Sequence, residues 1–155
     1  MLLARRHPEA LVLGLDQSAH RLARAERRFD PPDNLLLVRT DCAGFWRLAE
    51  AAGWRPWRHY LLYPNPWPKS AHLKRRWHGH PVFPHLLALG GQLILRTNWA
   101  LYAREMAEAL AVAGRVGSLG ELTEQGEPLT DFEDKYRHSG QALWELEAEL
   151  TLNGP

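Results

Sequence analysis

Cysteine is nearly absent: Cys42 is the only one in 155 residues. No intramolecular disulfide can form and no multi-cysteine zinc site can be built, which suits a reducing compartment. His72, His78 and His80 do not follow zinc-ligand spacing, so no metal is expected. Long apolar runs are also missing, and none approaches the ~20 residues that a membrane-spanning helix needs. The amino terminus, Met1-Leu2-Leu3-Ala4-Arg5-Arg6, holds neither a long apolar core nor a cleavage signal. Cytoplasmic residence without membrane contact is therefore the expectation. Internal repeats and low-complexity linkers are lacking as well.

What remains is an ordinary globular composition, 45% hydrophobic and 24% charged, sized for a single domain over residues 1–155 with a modest core. The net charge of +1 conceals an asymmetry. Residues 1–80 carry 14 Lys/Arg against 7 Asp/Glu, and the rest carry 5 against 11. A polyanionic partner suits the basic half.

Short apolar runs alternate with helical periodicity. Leu11–Leu15 reads as a strand ending at Asp16, and His20–Phe29 as an amphipathic helix with Leu22, Ala25 and Phe29 on one face. The pattern recurs as Leu35–Val38 before Asp41, then a helix over Phe45–Ala52. Tyr60–Tyr63 follows as a strand, then a helical return through His85–Leu89 stopped by Gly90-Gly91. Gln92–Leu95 is the next strand, and Trp99–Ala113 a long helix ending at Gly114. Such alternation predicts an α/β fold with a parallel sheet covered on both faces. The last third differs: Val116–Leu122 and Ala142–Leu150 read as strands with no helix of similar length between them. Trp144, Leu146, Ala148 and Leu150 alternate with glutamates at period two. An antiparallel pair closing one sheet edge is expected.

The segment Tyr63-Pro64-Asn65-Pro66-Trp67-Pro68-Lys69 follows an apolar run and precedes Ser70-Ala71-His72-Leu73-Lys74-Arg75-Arg76-Trp77. Alternate prolines fix φ, remove donors and hold their neighbours extended, so Asn65, Trp67 and Lys69 are presented just beyond a strand end. Ligands of open α/β sheets bind there. Cations beside Trp67 and Trp77 can grip phosphates while the indoles stack on bases. Cys42 has no accompanying motif and reads as a small buried residue.

This segment resembles the Pro-Asp-Pro-Trp, Lys and basic-run signature of the bacterial tRNA (guanine-N7)-methyltransferases. Thr97-Asn98-Trp99 with Tyr102 is similar to that family's Thr-Asp-Trp and tyrosine motif. Pro128-Leu129-Thr130-Asp131-Phe132-Glu133 with Tyr136 and Gly140 is similar to its Pro-x-Thr-x-Phe-Glu motif. The three motifs stand in order and cover most of the chain from about Leu11. The resemblance implies a Rossmann-like class I methyltransferase sheet with an antiparallel C-terminal edge, S-adenosylmethionine as cofactor and tRNA as substrate. It also implies a first strand and glycine-rich loop ahead of Leu11. Nothing there matches them, so a partial methyltransferase domain is expected. A central strand missing from the sheet would leave unpaired backbone on its two neighbours.

By the same resemblance, Asp16 takes the ribose-binding position and Asp41 the acidic position near adenine. Either carboxylate also suits a helix N-cap, as does Ser18. Asn65 stands at an active-site Asp, in reach of both base and cofactor, and Asn98 at a substrate-contacting Asp. Lys69 matches the substrate lysine, and residues 71–76 the RNA-interacting stretch, with His72, Lys74, Arg75 and Arg76 its polar members. Thr130, Asp131, Phe132 and Glu133 match the C-terminal substrate segment, Glu133 as polar contact and Phe132 as anchor. Thr130 also suits the cap of a short helix.

Asp can accept from both N1–H and the N2 amine of guanine while leaving N7 free. Asn offers one acceptor and one donor, which costs a charge-assisted bond of ~1.5–3 kcal/mol. Guanine N7 already carries an available lone pair, so methyl transfer needs alignment more than a base. The reading is an S-adenosylmethionine-dependent enzyme that methylates a guanine in the tRNA variable loop. Its rivals are a noncatalytic RNA-binding relative and a same-fold methyltransferase acting on another substrate.

Overall fold

In a computed structural model, residues 1–28, 30–123 and 126–152 are described. The chain falls into two compact units, Met1–Leu48 and Ala49–Pro155. The first contains α1 (Leu2–Arg6), β1 (Val12–Asp16), α2 (Ala19–Arg28) and β2 (Leu35–Arg39), and α3 (Cys42–Ala51) begins in it. Strands β1 and β2 pair in parallel, Val12 opposite Leu35 through Asp16 opposite Arg39. Both therefore end at the same edge, where Asp16 and the β2–α3 turn lie. The α2 helix follows the expected periodicity, and the expected face residue Phe29 lies outside the described residues.

The second unit contains β3 (Arg58–Leu62), 3-10 turns at Ser70–Arg75 and Trp77–Gly79, and α4 (Phe83–Leu89). These are followed by β4 (Gln92–Thr97), α5 (Ala100–Val112), β5 (Gly117–Glu121), α6 (Asp131–His138) and β6 (Trp144–Glu149). The sheet order is β3-β4-β6-β5. Strands β3 and β4 are parallel, while β6 runs antiparallel to both β4 and β5. The mixed α/β sheet with an antiparallel C-terminal edge agrees with the expectation from periodicity.

Packing explains the order. The β4 run Leu93, Ile94 and Leu95 is buried with paired strands on both sides, as a continuous apolar strand should be. On α5, Tyr102, Ala103, Met106 and Leu110 recur at helical spacing and are all buried. Gly90 caps α4 at φ 71°, and Gly91 follows at φ 76°. A side chain on Gly91 would collide with the Pro56 carbonyl at 2.2 Å, so only glycine lets the lead into β3 lie against β4.

Two expectations need correction. β3 starts at Arg58, two residues before the apolar run, because His59 is buried with Nε2 2.9 Å from the Gly90 carbonyl oxygen. Between β5 and β6 stands a two-turn helix, α6, where no helix of similar length was expected, although Thr130 suited the cap of a short one. Its nucleus is polar: Thr130 Oγ1 accepts from Glu133 N at 3.1 Å, acidic residues occupy the first turn and basic residues the last.

Candidate functional site

The proline segment leaves β3 through a hydrogen bond from Tyr63 N to the Arg96 carbonyl oxygen, 2.8 Å, which extends the β3–β4 ladder by one rung. Tyr63 and Trp67 then adopt left-handed backbone, φ 52° and 45°, one on each side of Asn65. Non-glycine residues hold such angles only where surrounding contacts enforce them. Here Trp67 N donates to Asn65 Oδ1 at 3.2 Å, closing an Asx turn.

Arg76 supplies the opposing hold. Its Nε and Nη2 donate to the Trp67 carbonyl oxygen at 3.2 and 3.0 Å, Nη2 reaches the Pro68 carbonyl oxygen at 3.4 Å, and Nη1 pairs with Glu105 on α5. Glu105 also meets His78 Nε2 at 3.1 Å, and Trp77 N donates to the Tyr102 hydroxyl at 3.1 Å. The loop is thereby fastened to the helix after β4. Burial holds the His78 imidazole below its ordinary value, against the pull of the Glu105 carboxylate.

Arg76 is thus only 5% exposed and faces inward, unlike the RNA-facing position expected for it. The 3-10 turn ends at Arg75, and Arg76 is extended at φ −74°, ψ 140°, which turns it from the surface its neighbours share. Lys69, Lys74 and Arg75 are exposed and His72 is half-buried. Arg75 lies 4.7 Å from the centroid of the Trp67 ring, and the His72 ring meets Trp67 edge-on at 5.5 Å. The indole therefore carries a guanidinium on one side already.

Asn98 follows the end of β4 by one residue, and Asn65 follows the end of β3 by three. Since β3 and β4 are paired and parallel, both amides belong to the same end of the sheet. Asn98 Nδ2 donates to Gln141 Oε1 at 2.8 Å, and Gln141 Nε2 donates to Ser139 Oγ at 3.1 Å.

At the C-terminal motif, Phe132 is 46% exposed and stacks on Tyr136 with ring centroids 6.4 Å apart. Tyr136 in turn packs at 5.6 Å from Tyr63. Asp131 is exposed and Thr130 is the α6 cap. Glu133, expected as a polar contact, is fully buried. It accepts from Arg96 Nη1 at 3.1 and 3.3 Å and from Arg137, while Arg96 Nε reaches Glu145 at 2.6 Å. Glu133 therefore ties α6 to β4. The Tyr63 phenol lies in the same surroundings, and burial, reinforced by the Glu133 carboxylate, pushes its ionisation upward. Sequence reasoning missed Arg96, Glu105 and Gln141. Arg96 had a signal: a lone arginine within an apolar strand must find a buried partner.

In the first unit, Asp16 ends β1. Its Oδ1 accepts from Ser18 N at 2.7 Å and Arg21 Nη2 at 2.8 Å, and its Oδ2 from Arg21 Nε at 2.8 Å. This bidentate fork, with the Ser18 bond, holds the carboxyl below its ordinary value. Asp41 Oδ1 accepts from Gly44 N at 2.7 Å, capping α3. Burial, with Asp41 and Asp16 nearby, pushes the Cys42 thiol up to about 11, which leaves it protonated at neutral pH. A shallow concavity of about 360 Å³ is lined by Gln17, Arg39, Thr40 and Asp41. A larger one, about 460 Å³, opens at the amino ends of β3 and β4, away from Asn65 and Asn98. Among the described residues no cluster suits a metal, and no helix is long and apolar enough to cross a membrane.

Residues 1–146 match the family described as "Putative methyltransferase". A tRNA (guanine-N(7)-)-methyltransferase of Treponema pallidum (strain Nichols) is 31% identical over 149 residues, covering 93% of this chain and 59% of that protein. The chain thus spans well under two thirds of that relative's length. One from Leifsonia xyli subsp. xyli is 31% identical over 157 residues, covering 95% of this chain and 69% of that protein. Among solved structures, a 16S rRNA (adenine(1408)-N(1))-methyltransferase with cosubstrate SAM, from Catenulisporales acidiphilia, matches with a TM-score of 0.63 at 18% identity. The match covers 99% of this chain and 81% of that one, a likeness of fold. The architecture is that of the class I methyltransferases, and the chain belongs to the family of bacterial tRNA (guanine-N7)-methyltransferases.

Proposed function

We propose that this chain acts in the cytoplasm as an S-adenosylmethionine-dependent methyltransferase on N7 of a guanine in the tRNA variable loop, with residues 1–155 belonging to one methyltransferase domain. The observation that carries this reading is the shared placement of Asn65 and Asn98 beyond the carboxyl ends of paired parallel strands. The exposed cations Lys69, Lys74 and Arg75 follow directly in the chain.

Asp16 and Asp41 fit the adenosine end of the cofactor. Two carboxylates at the carboxyl edge of adjacent parallel strands can accept from ribose hydroxyls and from an exocyclic amine. Asp16 takes a diol only when Arg21 releases it, and Arg21 is 55% exposed and free to swing outward. When bound, S-adenosylmethionine supplies an electrophilic methyl group on a sulfonium. The protein's task is alignment: Asn65, the proposed catalytic residue, and Asn98 orient the base with N7 uncovered. Lys69, His72, Lys74 and Arg75 hold the RNA backbone, and Phe132 offers an exposed ring beside Asp131. Thr130, Glu133 and Arg76 act indirectly as positioning residues that hold α6 and the proline loop.

The test is transfer of labelled methyl from S-adenosylmethionine to a tRNA transcript. The label should enter the variable loop at a site that becomes cleavable by chemistry specific for N7-methylguanine. Transcript binding without transfer would instead support the noncatalytic RNA-binding reading, which the occupied Asp16 carboxylate favours.

A further inference from the structure

The two amides at the end of β3 and β4 are not equivalent, and their surroundings determine which atom each one presents. Trp67 N–H can only donate, so the Asn65 atom facing it at 3.2 Å must be Oδ1. That leaves Nδ2 directed outward on an exposed residue, with no protein partner among the described residues. Asn98 is settled by a relay. The Tyr136 carbonyl oxygen can only accept, so the Ser139 hydroxyl spends its proton there, at 3.0 Å. Ser139 Oγ must then accept from Gln141 Nε2 at 3.1 Å, which turns Gln141 Oε1 toward Asn98. Asn98 must answer with Nδ2, at 2.8 Å, and its Oδ1 is left as an acceptor.

We infer that Asn65 and Asn98 form a directional reader, a donor on Asn65 and an acceptor on Asn98, that selects guanine through O6 and N1–H and ignores the N2 amine. The inference rests on the guanine-methylating role proposed above and states how the base is chosen there. An acceptor beside a donor on one base edge is what guanine offers at O6 and N1–H, and N7 stays uncovered. Carboxylates at these positions would instead present acceptors only and would reward the N2 amine. Neither amide is free to turn over: reversing Asn65 would set donor against donor in the Asx turn, and reversing Asn98 would set acceptor against acceptor at Gln141 Oε1.

Binding of tRNA transcripts that differ only at the variable-loop purine tests this, by competition against a labelled guanosine transcript. Inosine keeps O6 and N1–H and lacks the amine, so its transcript should compete like guanosine. The 2-aminopurine riboside keeps the amine and lacks both O6 and N1–H, so its transcript should bind roughly 5- to 100-fold more weakly. Asn65→Asp should create a preference for guanosine over inosine that the parent lacks. Ser139→Ala, which unlocks Gln141 without touching the base, should narrow the gap between guanosine and 2-aminopurine. Equal binding of all three transcripts, or a weaker inosine transcript with the parent protein, overturns the inference while leaving RNA binding intact. If no transcript binds, the proposed role itself falls and the inference with it.

Discussion

Arg76 grips the carbonyl oxygen of Trp67 with two guanidinium nitrogens, at 3.2 and 3.0 Å, from a position that solvent barely reaches. A basic run that looks uniform in sequence is therefore split in placement, and mutation should separate its parts. Arg76→Ala leaves Glu105 without its cation and should cost about 3 kcal/mol of stability, read from denaturant midpoints. Lys74→Ala and Arg75→Ala should leave the midpoint within about 0.5 kcal/mol. Each should weaken tRNA binding and lower the slope of log affinity against log salt by about one. A normal midpoint for Arg76→Ala with a reduced salt slope would return Arg76 to the RNA surface.

At the proposed cofactor site, Arg21 and S-adenosylmethionine would compete for the Asp16 carboxylate, which Arg21 holds in this structure. Removing the side chain with Arg21→Ala should tighten binding of S-adenosylhomocysteine by about 2- to 5-fold, the scale of an exposed ion pair. Asp16→Ala should weaken it by about 10-fold or more. Titration calorimetry reads both, and an unchanged or weaker affinity for Arg21→Ala would show that the fork does not guard the site.

Two histidines set a pH dependence. Burial lowers the folded pKa of both His59 and His78 from the ordinary 6.5. Each is neutral when folded and takes up a proton once the chain unfolds. Their contribution is present above about pH 6.5 and is lost as pH falls through that value toward the folded pKa. In that window each histidine adds up to about 1.4 kcal/mol per pH unit to the slope. Urea midpoints should fall from pH 7 to pH 5, less steeply for His59→Asn. A midpoint constant over that range excludes the effect.

The two units differ in how much they bury. Among the described residues up to Leu48, only Ala4 and Trp46 are buried apolar ones, while most of the core, from Leu61 to Leu150, lies in the second unit. A two-stranded sheet with so little covering is marginal by itself. Amides of β1 and β2 should therefore exchange with solvent faster than those of β4 and β6, by native-state hydrogen exchange. Equal protection across both sheets would mean that the units open together.

The parts of the fold legible in the sequence were those written by periodicity. Apolar runs at 11–15, 35–38 and 92–95 became strands, and Tyr102, Met106 and Leu110 marked the buried face of α5. Where polar residues build an element, periodicity is silent. α6 is held by a threonine cap, which was legible, and by a buried Glu133, which was not, and β3 begins with Arg58 and His59, so its start did not stand out.

Local chemistry by itself determined that a rigid proline segment with an amide, an indole and cations follows a strand, since φ restriction and strand termination need no distant contacts. Only the tertiary structure decided which of those groups face outward. Arg76 turns in because Glu105, 29 residues later, and the Trp67 carbonyl compete for it. Asn98 presents oxygen rather than nitrogen because a hydroxyl 41 residues away has already given its proton to a carbonyl. A hydrogen bond depends on direction as well as composition, and direction is set only when distant segments meet.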